Sequence, residues 1–271
     1  MMNFGSTARR LVAPLVALLM LGGSAEATNA WQTSAPASDP VPVPVPFGNG
    51  ERAEYQVKLG GVSVGSGAME ILGVEEVRGR QTYHARLRVS GGLPLMRVDD
   101  RFESWIDVVG LYSHRFKQNQ RELSFRRNRT YEFFPEERRY ERADSDDRGA
   151  LPTDEPLDDV SFLYYARTLP LEVGDRYVLN QYFKADGNPV ILEVVRKETI
   201  RVPAGTFNTV VVRPTIKTDG LFGEGGEAEV YFTDDSRRLL VQMRSKVPIV
   251  GSLSLHMTSY QPGERLTSGP Y

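Results

Sequence analysis

The chain has 271 residues, of which 25% are charged and 40% hydrophobic, and its formal net charge is −2. This balance is ordinary for a folded protein and excludes a general electrostatic attraction to nucleic acid or to acidic membranes, so an electrostatic partner must be sought in local patches. Cysteine is absent, which excludes disulfides, a thiol nucleophile and an acylated N-terminal cysteine.

Residues 1–27 have the pattern of a secretory signal peptide. Arg9 and Arg10 precede an apolar run from Leu11 to Gly23, and small residues up to Ala27 provide a cleavage site. The apolar run is shorter than the roughly 20 residues that span a bilayer. We therefore expect an exported product, periplasmic in a Gram-negative cell, that is soluble, not lipidated and without a transmembrane helix in the mature chain.

Residues 28–49 form a proline-rich segment, with prolines at alternate positions from Pro40 to Pro46. Alternating proline removes amide donors and favours an extended polyproline II backbone. This composition predicts a linker between the signal peptide and a folded domain.

From residue 50 to residue 262 the hydrophobic pattern has a period of two, which is typical of half-buried strands. The clearest strands are Arg52–Leu59, Thr82–Ser90, Phe102–Val109, Tyr177–Lys184, Val190–Arg201, Phe207–Thr218, Ala228–Thr233, Leu239–Val247 and Leu253–Tyr260. Turn signals recur about every dozen residues without a βαβ rhythm. We therefore predict a mainly β fold with ten to twelve strands, a large curved antiparallel sheet or a partly closed β-barrel, followed by a C-terminal tail at residues 263–271.

One segment has helical spacing instead. The pattern runs from Val160 to Arg167, Asp158 or Asp159 can cap it, and Pro170 stops it. This predicts one short helix that packs on the sheet or in its open end. The polar stretch ADSDDRGALPTDEP that precedes it predicts a long mobile loop.

The sequence contains no convincing catalytic, metal or cofactor site. Neighbouring carboxylates, such as Asp99 with Asp100 and Asp234 with Asp235, point to opposite sides of a strand and are typical of turns. The three histidines fall in different strands, on or near the polar face, without metal-ligand spacing. A G-x-S-x-G match around Ser63 lacks the helix that a nucleophile elbow needs. We predict no catalytic residue, no metal and no cofactor.

The segment from Ser113 to Arg142 is unusual because both faces of its strand pair are polar. Its candidate ligand-binding side chains are Arg115, Lys117, Arg121, Arg127 and Arg129. Two interpretations remain open: a hairpin that projects into water, or a basic row on the concave side that meets an anionic head group.

Aromatic residues offer a second candidate surface. Tyr164 in the helix and Trp105 in a strand could line a cavity in a curved sheet, or could fill it as ordinary core.

The stretch RVPAGTFNTVVV predicts a hairpin corner. Pro203 and Ala204 suit a type I turn, and Gly205 suits the positive φ of a following bulge. These residues are therefore predicted to have a structural role.

Four segments, GERAEYQVKLGGVSVGSGAMEI, DDVSFLYYARTLPLEVGD, VPAGTFNTVVV and EVYFTDDSRRLLVQMRSKVPIVGSLSLHM, occur in this order. Together they resemble the bacterial family catalogued as domain of unknown function 3108, from about Gly50 to Tyr260. The resemblance implies an exported envelope protein of antiparallel β type, and it transfers no activity and no catalytic residues.

Three functions stay open. The first is a non-enzymatic periplasmic protein that binds a lipid or acylated envelope molecule in the concavity closed by the helix at Asp158–Leu169. The second is a structural or interaction module that binds an envelope protein through exposed strand edges or the basic hairpin. The third, a glycan-acting hydrolase, needs two carboxylates on one cleft wall. An apolar interior cavity would favour the first function, and a packed interior would speak against it.

Overall fold

The computed structural model describes residues 44–93, 96–122, 125–216, 228–247 and 251–266. The predicted signal peptide, most of the predicted linker and the glycine-rich segment at 220–226 lie outside these residues. The described strands are β1 (Arg52–Leu59), β2 (Val62–Val77), β3 (Arg80–Leu93), β4 (Met96–Asp107), β5 (Ser113–Glu122), β6 (Phe125–Phe134), β7 (Arg139–Arg142), β8 (Arg148–Ala150), β9 (Arg176–Leu179), β10 (Val190–Val202), β11 (Gly205–Thr215), β12 (Ala228–Thr233), β13 (Leu240–Val247) and β14 (Gly251–Gln261). The described α-helix, α1, is Ser161–Ala166.

These strands form one antiparallel sheet in the order β8-β7-β6-β5-β4-β3-β2-β1-β14-β13-β12-β11-β10-β9. The chain runs outward from β1 to β8, crosses through the segment that contains α1, and returns from β9 to β14, which pairs with β1. Among the described strands, β8 and β9 are not paired with each other, so the sheet is open. The predicted fold class is confirmed. The described strands outnumber the predicted ten to twelve because β7 and β8 are too short to show alternation in the sequence.

Two predicted segments differ locally from the structure. The strand predicted at Tyr177–Lys184 ends at Leu179, because the Asn188 side chain bonds the backbone of Tyr182 and Lys184 and folds this stretch into a turn. The stretch predicted as a long mobile loop contains β8, and the Thr130 amide donates to Asp144 Oδ1 at 3.0 Å. Backbone pairing and this side-chain bond hold it against the sheet.

The two faces of the sheet have different roles. We call the face on which α1 lies the inner face and the opposite one the outer face. Inner-face and helix side chains form a continuous core, and several large rings are less than 2% exposed: Phe47, Tyr83, Phe116, Tyr131, Phe133, Tyr164 and Phe183. Each such aromatic side chain removes 150–250 Å² from water, so the inner face supplies most of the hydrophobic stabilisation.

Asp158 joins α1 to the sheet. Its Oδ1 accepts hydrogen bonds from the amides of Val160 and Ser161 at 2.8 and 2.9 Å, which satisfies donors that the first helical turn leaves free. Its Oδ2 accepts from Ser104 Oγ in β4 at 2.6 Å. The predicted capping role of this residue is therefore seen in the structure, and the same carboxylate also bonds the inner face.

A buried ion pair fixes the other end of α1. Arg167 Nη1 and Nη2 bond Glu51 Oε1 and Oε2 at 2.6 and 3.1 Å, and the side chains are only 3% and 5% exposed. Arg167 Nη2 also donates to the carbonyl of Arg237, and Tyr260 Oη donates to Glu51. The pair therefore connects the helix to β1, to β14 and to the turn before β13.

The packed part of the chain extends beyond residues 50–262 on both sides. Val45 and Phe47, inside the predicted linker, are 6% and 2% exposed. Asn49 and Glu264 form an antiparallel bridge through reciprocal backbone hydrogen bonds of 2.8 Å. Val45 and Phe47 therefore belong to the core, where the Phe47 ring packs against Tyr83 and Tyr164.

The corner between β10 and β11 is a tight turn. Val202 pairs with Gly205 across Pro203 and Ala204, and Gly205 has a φ of 139°. An L side chain rarely adopts this φ, so glycine is required here by the backbone conformation.

We expect Gly205→Val to lower the free energy of unfolding by about 1–2 kcal/mol, because the added Cβ strains the positive φ. Thr206→Val, at the exposed neighbouring position, serves as control and should change it by less than about 0.5 kcal/mol. Urea denaturation of both variants measures the difference. Equal stability of the two variants would contradict a conformational requirement at Gly205.

We expect Arg167→Leu to lower the free energy of unfolding by about 3–5 kcal/mol, because it leaves the Glu51 carboxylate buried without a counter-charge. Adding Glu51→Leu should restore most of the loss, since no isolated charge then remains. The control is Arg176→Leu, which breaks an ion pair with Glu193 whose side chains are 52% and 44% exposed, and should cost at most about 1 kcal/mol. Calorimetry that ranks the control as the more damaging change would refute this account.

Candidate functional site

The seven predicted ligand-binding side chains lie on both faces of the sheet. Those on the outer face are Trp105, Arg115, Lys117 and Arg121, and those on the inner side are Arg127, Arg129 and Tyr164. The register explains the split, because Arg121 pairs with Arg126 and Gln120 with Arg127. Odd-numbered residues of β5 therefore share a face with even-numbered residues of β6, and the structure does not bring the predicted basic residues into one row.

Trp105 is enclosed on the outer face and lines no interior cavity. Its Nε1 donates to Glu75 Oε2 at 2.8 Å, its ring stacks on His84 with 4.2 Å between centroids, and the Arg115 guanidinium lies 5.2 Å from its centroid. Burial would lower the pKa of His84, but Glu103 and Glu75 beside the ring raise it above its usual value. These contacts make Trp105 part of an ion-paired surface cluster.

The other two histidines occupy different surroundings. His114 is 3% exposed, and its Nε2 lies 2.9 Å from Asp107 Oδ2. This residue, expected on or near the polar face, is therefore buried, and a buried carboxylate bonds its ring. His256 lies 3.0 Å from Ser254 Oγ. Within the described ranges, no three His, Asp or Glu side chains are grouped so that they could hold a metal ion.

Tyr164 is part of the filled interior. It is fully buried against the Phe47 ring at 4.9 Å, and burial raises its pKa well above the usual value. Its hydroxyl has no hydrogen-bond partner in the described part of the chain. The Phe116 and Phe183 rings, with 6.0 Å between their centroids, belong to the same packed core cluster as Tyr164.

A polar contact closes one side of this interior. Tyr182 Oη donates to Asp159 Oδ1 at 3.0 Å, and Gln118 Nε2 lies 3.5 Å from the other carboxylate oxygen. Burial, reinforced by the neighbouring Asp158 charge, raises the pKa of Asp159 to about 6. Asp159 therefore bonds the helix segment to β5. Its ionised form destabilises the folded protein in this buried position.

The outer face carries an open polar groove of about 360 Å³. Its floor is shallow because β2 and β3 approach closely at Gly65 and Gly91, where a Cβ on Gly65 would lie 2.1 Å from the Ser90 carbonyl oxygen. The groove is lined by Arg52, Glu54, Tyr55, Gln56, Ser63, Gly65, Ser66, Gly67, Ala68, Arg88, Ser90 and Thr258. Hydroxyls and charges of both signs predominate, which suits a hydrophilic ligand or polypeptide and does not suit an acyl chain.

The groove contains one carboxylate, Glu54. Arg52 bonds it at 2.9 Å and Ser259 Oγ donates to it at 3.0 Å, and these contacts lower its pKa. A glycosidase of the usual two-carboxylate type needs a second carboxylate across the cleft, one of the pair being kept protonated. The groove lining described above lacks this arrangement.

Beside the groove lies a set of arginines that we call the outer arginine patch: Arg88, Arg97, Arg101, Arg121 and Arg126. Three of these residues, on β3 and β4, fall outside the basic segment singled out in the sequence. Strand alternation places each on a polar face, but only the pairing of β3 with β4 and of β4 with β5 brings them beside Arg121. The sequence therefore predicted the face of the strand on which each arginine lies, but not that the arginines lie close together.

No described helix is long and apolar enough to cross a membrane.

We expect Asp159→Asn to stabilise the protein progressively as the pH rises from about 4 to 7. The folded-state pKa of about 6 lies above the ordinary value of 3.8. The stability that protonated Asp159 contributes is therefore present below pH 4 and is lost as the pH rises through 6. The difference should reach about 3 kcal/mol at neutral pH.

Urea titrations of wild type and Asp159→Asn at several pH values measure this difference. Asp154→Asn, at an exposed position with a 64% exposed side chain, serves as control and should show no such trend. A pH-independent difference between wild type and Asp159→Asn would disprove the assigned titration.

The fold resembles three solved structures at 10–12% sequence identity. The first is the β-barrel-like protein of domain of unknown function DUF1849 from Brucella abortus, with a TM-score of 0.49 over 82% of this chain and 100% of that one. The second is a provisionally assigned lipoprotein from Parabacteroides distasonis, with a TM-score of 0.36 over 80% of this chain and 98% of that one. The third is a provisionally assigned exported protein with a YmcC-like fold from Bacteroides fragilis, with a TM-score of 0.30 over 79% of this chain and 98% of that one.

No curated protein matches the chain. The model of the family described as protein of unknown function DUF3108 matches residues 54–258, which is more than half of the 271 residues. The match confirms the resemblance that the four ordered segments indicate. The chain belongs to the DUF3108 family.

Proposed function

We propose that the protein is an exported, non-enzymatic interaction module of the bacterial envelope, which binds a protein partner in the polar groove on the outer face. The observation that carries this proposal is the contrast between the two faces. Core side chains occupy the inner face, whereas the outer face has an open recess of about 360 Å³. This volume lies within the usual range of ligand-binding clefts.

The groove chemistry favours a polypeptide over a lipid. Arg52 and Arg88 present guanidinium groups at its walls, while Ser66 and Ser90, whose hydroxyls lie 3.4 Å apart, can donate to and accept from backbone groups. The small residues of β2 leave room for a chain to approach the sheet. An extended segment with polar or acidic side chains fits these features.

An amphipathic ligand in the interior is less compatible with the contacts of α1. To admit such a ligand, the helix would have to leave the inner face. That movement would break the Arg167–Glu51 pair and the bond from Ser104 to Asp158. Leaving either member of a buried ion pair without its partner costs about 3–5 kcal/mol.

Site-specific photo-cross-linking in cells tests the proposal. A photoreactive amino acid at Ser66, exposed in the groove, should give one discrete protein adduct. The same amino acid at Thr215, exposed on β11 outside the groove lining, is the matched control and should give none. Arg52→Ala should reduce the Ser66 adduct, because it removes one groove wall.

Native mass spectrometry of the exported protein provides the opposing outcome. The proposal predicts the mass of the polypeptide alone. A stoichiometric lipid on the purified protein, together with equal cross-linking from Ser66 and Thr215, would reject the groove and favour the interior as the binding site.

A further inference from the structure

The outer arginine patch is a concentration of positive charge without matching carboxylates. Its five arginines lie on β3, β4, β5 and β6, neighbouring strands about 4.8 Å apart, so it spans roughly 14 Å across the sheet. Asp99 is the carboxylate within it, and it pairs with Arg88 at 3.2 Å. Arg97, Arg121 and Arg126 form no ion pair with any carboxylate that the structure describes.

The strand register makes this arrangement of arginines destabilising for the protein without a bound anion. Arg88 lies directly opposite Arg101, and Arg121 directly opposite Arg126. Like charges in directly opposed positions destabilise a sheet. The Arg101 Nε is also buried without a hydrogen-bond partner in the described part of the chain. Arg121 and Arg126 therefore form an unfavourable pair, whereas the charge of Arg88, opposite Arg101, is compensated by Asp99.

Several arginines elsewhere on the outer face are matched with carboxylates. Glu70 lies between Arg52 and Arg86, at 2.6 and 2.7 Å. On the other half of the sheet, Glu229 bonds both Arg196 and Arg213, at 2.7 and 3.3 Å. These ion pairs contrast with Arg97, Arg121 and Arg126, for which the described carboxylates provide no partner.

The shape of the patch indicates the kind of anion that would complement it. The guanidinium groups are distributed along a sheet face and do not converge on one point, so they suit an array of anions better than a single small one. Guanidinium binds phosphate oxygens with two parallel hydrogen bonds. The patch lies toward the end of the sheet where Val62, at the start of β2, is 64% exposed.

We propose that the outer arginine patch docks the protein on the surface of a bilayer that contains anionic phospholipid. Each arginine meets a lipid phosphate, and the polar face of β3–β6 lies against the headgroups. The export predicted from the sequence would bring this surface to the membranes of the envelope. This inference goes beyond the partner groove, with which the patch shares Arg88, and its test rests on Arg121 and Arg126, which do not line the groove.

Co-sedimentation of the protein with vesicles tests the docking. The experiment uses the exported form of the protein, whose N-terminus is established by mass spectrometry. Vesicles of phosphatidylglycerol mixed with phosphatidylcholine should bind the protein, and vesicles of phosphatidylcholine alone should not. Each basic residue near an anionic surface contributes about fivefold to binding. Arg121→Glu with Arg126→Glu should therefore weaken binding by at least about 25-fold, and salt should weaken wild-type binding.

The matched control is Arg148→Glu with Arg201→Glu. Both residues are exposed on strands outside the patch, and this double variant has the same net charge as the first. It should retain most of the binding. Arg121→Glu alone separates binding from folding, because the new carboxylate faces Arg126 across the strands. Its melting temperature should equal or exceed that of the wild type, whereas vesicle binding should fall.

Two results would overturn the proposal. One is an equal loss of vesicle binding in the two double variants, because binding would then depend on the net charge of the protein and not on the patch. The other is binding to soluble polyphosphate but not to phosphatidylglycerol vesicles, with the same dependence on Arg121 and Arg126, which would assign the patch to a soluble polyanion. Neither result bears on the cross-linking from Ser66, so failure of membrane docking and failure of the partner groove are distinguishable.

Discussion

The buried pair between Arg167 and Glu51 is the contact on which the rest of the structure depends. An open sheet exposes its whole apolar face unless other elements cover it, and here a helix of only six residues contributes to that cover together with Phe47 and Phe183. Such a helix is too short to be stable by itself. Its position is instead imposed at both ends, by Asp158 through the first turn and by Arg167 through the bidentate bond to Glu51. Since Glu51 precedes β1, these contacts connect the crossover segment to the centre of the sheet.

This internal cover shifts the search for function to the outside of the sheet. The interior of curved antiparallel sheets is the usual place to expect an apolar ligand, but here Phe47 and the α1 side chains use that space for stability. The outer face is stabilised differently, by ion pairs that extend from strand to strand. This pattern changes at the groove, where the β2 residues Gly65–Ala68 are small, and at the outer arginine patch, where Arg97, Arg121 and Arg126 form no ion pair with a described carboxylate. Both are departures from local optimisation, which is typical of functional surfaces.

Much of the fold follows from local sequence rules. Alternation in Arg52–Leu59 and Thr82–Ser90 predicted strands that the structure contains, and the cap at Asp158 predicted the start of α1. The rules failed where tertiary contacts override them. Strand β9 ends early because the core takes up Phe183, and β8 forms in a polar stretch because β7 offers a free edge. His114 is buried because Asp107, held by its own turn, provides an acceptor inside the protein.

The sequence by itself determined the class of fold, the place of the helix, the turn at Pro203 and the membership of the family, because each depends on residues that are close in the chain. It also determined on which side of its own strand each arginine points. Only the tertiary structure decided which strands lie side by side and in what register. Register depends on turn geometry and on packing between distant segments, and a shift of one residue exchanges the two faces. For this reason Arg127 and Arg129 are separated from Arg121, while Arg88 and Arg101 join it.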